Sequence, residues 1–172
     1  MSKNKIAAII IGVLVVLLGI GLVFNQKIVK ENKALIENVE IKIVDQGKEI
    51  GVISYEEIIA LGAVEYEAIY DTSKTDPIVE TYKGVELQTI LRSFDIPLKE
   101  RNAVTLTAVD NFAMAYTMEE VLQEENMYIT FERNGKVIEG KEEGDSGPLL
   151  AIVKNDQFSN RRCKWLISVE VQ

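Results

Sequence analysis

The chain has 172 residues, a formal net charge of −8, no histidine and one cysteine, which excludes an internal disulfide, Ser-His-Asp catalysis and histidine-built zinc sites. Five lysines against two glutamates in residues 1–38 leave 14 basic and 25 acidic side chains, a net of −11, in residues 39–172. That excess gives no attraction to a phosphate backbone, so no nucleic acid is expected as a partner, and its plain role is to keep the domain soluble.

Ile6 to Phe24, IAAIIIGVLVVLLGIGLVF, has no charge and no proline, and its only non-apolar positions are three glycines. Nineteen helical residues rise about 28 Å, the thickness of a hydrocarbon core, so the run predicts a transmembrane anchor that binds the chain to the membrane. A cleaved signal peptide is the competing reading, because Lys3 and Lys5 precede the run. Against cleavage stand the length of the run and an exit, Gly21 to Lys27, that lacks the small-x-small pattern a signal peptidase needs. Lysines flank the run on both sides, so the placement rests on its position at the start of the chain. Residues 1–5 are then a cytoplasmic tail, 6–24 the signal-anchor, 25–38 a partly helical stalk and 39–172 one extracytoplasmic domain.

Within that domain Val39 to Val44 alternates as a half-buried strand, Asp45 to Lys48 turns, and Ile50 to Ile53 continues the sheet. Ser54 and Glu57 have the spacing of a capping box, which starts a short helix that Gly62 stops. Val64 to Tyr70 is a strand, Asp71 to Pro77 a loop by composition, and Ile78 to Tyr82 a strand. Leu87, Ile90, Leu91 and Phe94 form one helical stripe, ended by Pro97. Ala103 to Val109 and Ala113 to Tyr116 are strands around an Asp110-Asn111-Phe112 turn, and Thr117 with Glu120 repeats the capping box. Asn134-Gly135 joins Met127–Arg133 to Lys136–Ile138 as a two-residue hairpin. Gly140 to Gly147 is a charged loop, and Pro148–Val153 and Lys164–Val171 are the last strands. Many strands with short helices between them make the class α+β.

The acidic run Glu139 to Asp145 matches no calcium loop and reads as solvated surface. Cys163, written in the closing strand with Trp165, Ile167, Val169 and Val171 on its face, reads as a buried structural thiol. Arg161 and Arg162, with Lys154 and Lys164 near them, are the one basic concentration in an acidic domain, and Arg offers a planar fork to an anion. Tyr82 and Tyr116 are candidates to stack on a flat ring.

From Tyr82 onward the order of features carries a resemblance. Tyr82-Lys-Gly-Val-Glu-Leu87, Ala103 to Phe112, the Asn134-Gly135-Lys136 hairpin, Ser146-Gly-Pro-Leu-Leu150 and Lys164-Trp-Leu-Ile-Ser-Val169 together resemble the molybdopterin-binding oxidoreductase domain, the sulfite oxidase fold, over roughly residues 64–172. The resemblance implies that scaffold, a molybdopterin or pterin-like ligand, and a site near Asp110, Asn111 and Phe112. It also implies a metal position in Tyr70 to Asp76, where active members hold molybdenum through a cysteine thiolate. Here that stretch has no cysteine, and Asp71, Thr72 and Ser73 stand nearest. Leu150 replaces the arginine that usually follows Gly-Pro-Leu. The expected function is therefore a membrane-anchored extracytoplasmic binding or interaction module on an oxidoreductase-like scaffold. Its cofactor-binding candidates are Asp71, Thr72, Ser73, Tyr82, Asp110, Asn111, Phe112, Arg161 and Arg162, and it has no catalytic or metal residues. The alternatives are an active molybdopterin-dependent oxidoreductase without cysteine ligation, and a structural subunit with an envelope protein partner.

Overall fold

The computed structural model describes residues 3–72, 75–156 and 159–172, with side chains described for all of these except 3–10, 23–24, 28, 31–33, 36, 72 and 75. The chain divides into two compact units, Met1–Ala34 and Leu35–Gln172. One helix, α1 (Lys3–Asn38), takes in both the apolar run and the expected stalk, which is helical throughout. The described side chains of the run, residues 11–22, are all exposed. They cover about 18 Å of helix, and among the described residues no helix is long and apolar enough to cross a membrane. The span expected at 6–24 therefore rests on its sequence and draws nothing from the structure.

The domain begins with β1 (Glu40–Asp45) and β2 (Lys48–Ser54), joined by Gln46 and Gly47 at φ 49° and 78°, the backbone of a tight hairpin. Ser54 starts α2 (Tyr55–Ala60): its hydroxyl accepts from the Glu57 N–H at 3.4 Å, and its own N–H donates to the Glu57 carboxylate at 2.8 Å. β3 (Val64–Thr72) and β4 (Thr75–Glu86) form a long hairpin. Here the sequence reading needs correcting, because most of the loop expected at 71–77 is strand. Ile69 pairs with Val79 and Tyr70 with Ile78, and these β-formers carry the ladder into a stretch whose composition favours a turn.

α3 (Leu87–Arg92) buries Leu87, Ile90 and Leu91 completely but stops short of Phe94, because Asp95 takes φ 56° and turns the chain before Pro97. β5 (Ala103–Ala108) and β6 (Ala113–Thr117) follow, and Thr117 with Glu120 caps α4 (Met118–Leu122) by the same reciprocal pair. β7 (Met127–Arg133) returns through Asn134 and Gly135, at φ 53° and 73°, into β8 (Lys136–Val137). β9 (Leu150–Val153) and β10 (Leu166–Val171) close the chain.

The strands make two sheets, β2-β1-β10-β5-β6 and β3-β4-β7-β8, with β9 on the free half of β7. The β1–β10 pair is parallel and the others antiparallel. One apolar core takes Ile41, Ile43, Val104, Leu106, Val169 and Val171 from the first sheet, Val85, Ile129 and Phe131 from the second, and Ile58, Leu91 and Val121 from the helices. A second cluster lies on the opposite side of the second sheet, where Tyr66, Tyr82, Tyr128, Leu150 and Ile152 meet. β9 and the first five residues of β7 are thus buried on both faces, which is why β9 reads as an unbroken apolar run. The fold is mixed α+β and strand-rich.

Cys163 is fully buried, as expected, but lies before β10 rather than in it, bridged to Ala151. Trp165 at φ 52° and a register shift between Leu166 and Ser168 break the alternation. Trp165 is consequently half-buried, away from the core face assigned to it.

Candidate functional site

The segment between β9 and β10 crosses the free edge of β3. The Ser159 hydroxyl accepts from the Asp71 N–H at 2.8 Å and donates to the Ile69 carbonyl at 3.3 Å. Arg162 follows it inward to 8% exposure and donates to the same Ile69 carbonyl at 2.6 Å and to the Tyr82 hydroxyl at 2.7 Å. Its guanidinium lies 5.0 Å from the Tyr82 ring centre and 5.3 Å from that of Tyr70. Tyr82 in turn donates to the Glu80 carboxylate at 2.5 Å. Burial, helped by that carboxylate, pushes the Tyr82 hydroxyl up to about 12, so it stays a neutral donor.

Two clefts meet at Arg162, Lys164 and Trp165. The larger, about 610 Å³, is polar: Tyr70, Arg133, Glu139, Glu143 and Asp145 are among its walls, and Arg133 is paired to Asp145 at 3.0 Å. The smaller, about 230 Å³, is bounded by Ala108, Asp110, Phe112, Arg162, Lys164 and Trp165. In this half-open cleft two aromatic side chains and two cations, with the Asp110 carboxylate beside them, line a space the size of one small ring system. Among the described residues neither Arg162 nor Lys164 has a carboxylate partner.

Trp165 is held by three main-chain bonds: its N–H donates to Ser146 at 3.0 Å, its indole N–H to the Asp145 carbonyl at 2.7 Å, and its carbonyl accepts from Val109 at 3.0 Å. Opposite it the turn after β5 places Asn111 at φ 65°, and Asp110 accepts from the Phe112 N–H at 3.1 Å. That bond, with Lys141 nearby, holds the Asp110 carboxyl below the usual carboxylate range. Phe112 is left 45% exposed beside the cleft.

The expected site residues therefore separate. Asp110, Phe112 and Arg162 come together at the small cleft, with Asn111 forming the turn between the first two. Tyr82 stands behind Arg162 as its support, too buried to be a stacking surface. Arg161 points elsewhere, to Glu120 at 2.8 Å and Asp156 at 3.1 Å, with Tyr116 donating to its carbonyl. Among the described residues Asp71 enters through its backbone N–H, the Thr72 side chain is not among those described, and Ser73 lies outside the described residues. Trp165 and Lys141 escape a reading of the sequence: no local pattern announces a left-handed tryptophan, and Lys141 lies in an acidic loop.

The donors do not fit a molybdenum held by a protein thiolate. The one cysteine is walled into the core, burial pushes its thiol up to about 12, and both clefts offer only nitrogen and oxygen atoms. Among the described residues no cluster of histidine, cysteine and carboxylate could hold a metal ion.

No model of a protein family matches the chain, and no curated protein matches it. Among solved structures it is similar to sulfane dehydrogenase SoxCD from Paracoccus pantotrophus, with a TM-score of 0.62 and 16% identity over 77% of this chain and 37% of that one. The chain thus spans little more than a third of that protein's length. At this identity the likeness shows the fold alone.

Proposed function

We propose that the domain binds a small, flat, anionic molecule in the cleft between Phe112 and Trp165, and that it binds this ligand without carrying out redox chemistry on it. The observation that carries the reading is the pairing of those two aromatic walls with Arg162 and Lys164, two cations that no described carboxylate neutralises. A buried guanidinium without an ionic partner is costly unless hydrogen bonds or a ligand compensate it. Arg162 has two neutral acceptors on its inner side and a cleft beside it. A pterin-like ring with a carboxylate or phosphate suits this chemistry, and a thiol held inside the core argues against a metal-centred reaction. We further propose that residues 6–24 anchor the domain at the outer face of a membrane. Support for this comes from the sequence, nineteen uncharged residues in a row.

Thermal unfolding of the full chain in detergent micelles, with and without pterin-6-carboxylate, tests the ligand. At about one hundred times its dissociation constant such a ligand adds roughly 2.7 kcal/mol of stability, a rise of several degrees. Replacing Lys164 by Met should abolish that rise. An unchanged midpoint in wild type, or a rise that survives Lys164→Met, refutes the reading. Protease access to a C-terminal tag on intact cells tests the anchor, and a protected tag reverses the orientation.

A further inference from the structure

We propose that Lys141 is a third cation of the small cleft, held in reserve by Asp110 and Trp165 until an anionic ligand draws it in. The inference rests on the anion reading of that cleft. The Lys141 ammonium lies 4.3 Å from the centre of the Trp165 ring and 3.3 Å from the second oxygen of Asp110, two residues that line the cleft. Its hosts are fixed. Trp165 is pinned by its three main-chain bonds, and Asp110 by the N–H of Phe112.

Lys141 itself is held by fewer contacts. It belongs to the loop between β8 and β9, is flanked by Gly140, and is followed by Gly144 at φ 82°. Its side chain is 48% exposed and that of Asp110 37%. A long ion pair at that exposure, and a cation on an aromatic face in contact with water, each hold weakly. Rotation about the lysine side chain is enough to move the ammonium from one anion to another. Arg162 and Lys164 then need only a ligand charge to make the cleft a better partner for Lys141 than Asp110 is.

A merely structural staple and a reserve cation predict different signs. If Lys141 only pins the loop, Lys141→Met and Asp110→Asn both loosen the wall and shift affinity in the same direction. If Lys141 is a reserve cation, Lys141→Met weakens anion binding and Asp110→Asn, by releasing the ammonium, strengthens it. The gain from Asp110→Asn must pass through Lys141, so it disappears in the double variant.

Isothermal titration calorimetry of the full chain with pterin-6-carboxylate at low salt measures this. Expected are a loss of roughly fivefold for Lys141→Met, recovery by Lys141→Arg, a gain of roughly threefold for Asp110→Asn, and an Asp110→Asn/Lys141→Met affinity equal to that of Lys141→Met alone. Affinities that move together, or an Asp110→Asn gain that persists without Lys141, overturn the reserve role and leave the anion site standing. A wild type that does not bind the probe overturns both.

Discussion

Replacing Gly84 with alanine tests the packing that places the site. Gly84 lies in β4 opposite Thr130 of β7, next to the register shift after Lys83. A methyl group there would sit 2.5 Å from the Ile129 carbonyl oxygen and 3.0 Å from its carbon and from the Thr130 Cα. To reach the 3.4 Å of ordinary contact the two strands must part by about 0.9 Å, and the obstacle is backbone that cannot rotate away. Overpacking of this kind costs about 1–3 kcal/mol, and a clash with the backbone of β7, which is buried on both faces at Ile129 and Thr130, belongs at the upper end. Alanine's smaller loss of chain entropy returns about 0.4–1 kcal/mol. The balance is a destabilisation of about 2 kcal/mol, or roughly 6 °C in Tm for a domain of this size. Circular dichroism of the full chain in micelles, following the strand signal on heating, reads it directly. A midpoint within about 2 °C of wild type would show that β4 and β7 are not in this register.

Three further outcomes follow from buried groups. Cys163 should resist a thiol reagent at mild alkaline pH in the folded chain and react at once when the chain is unfolded; fast labelling of the native protein refutes its burial. Burial also pushes the hydroxyls of Tyr82 and Tyr128 up to about 12, and those of Tyr66 and Tyr116 upward as well. Their folded values exceed the unfolded one, so they stabilise the fold below about pH 10 and that contribution fades as the pH rises through the folded values. Tyrosinate absorbance should therefore rise together with unfolding, and ionisation of all six tyrosines near pH 10 in an intact fold would contradict this. At the acid end, Arg101 grips both oxygens of Asp45 at 2.8 and 2.9 Å and holds its carboxyl below the usual carboxylate range. That stabilisation is present above about pH 4 and is lost as the pH falls through the lowered value. Asp45→Asn should flatten the acid limb of the stability curve, and an unchanged limb would remove the pair from the account.

Much of the fold was legible because the signals are local. Two capping boxes, the Asn134-Gly135 turn and the alternation of Val104, Leu106 and Ala108 each depend on residues a few positions apart, and each stands where its pattern puts it. The reading failed where partners are distant. The Asp71–Pro77 stretch carries loop composition, yet cross-strand pairing of Ile69 with Val79 and Tyr70 with Ile78 extends the ladder through most of it. Alternation also misplaced Trp165, because a single left-handed residue inverts the phase of everything before it.

The site shows the same division. The sequence by itself determined the chemical means, an acidic domain with one basic cluster, no histidine and a lone apolar cysteine, since composition decides which ligands and reactions are affordable. It also determined the short-range frame of turns and caps. Only the tertiary structure decided that Arg162 turns inward to Tyr82 while Arg161 turns outward to Glu120, although the two are neighbours in the chain. Only the tertiary structure brought Phe112, Arg162 and Trp165 to one cleft and laid Lys141 against the Trp165 ring. The physical reason is that hydrogen bonds between segments dozens of residues apart fix those directions, and no local pattern encodes them.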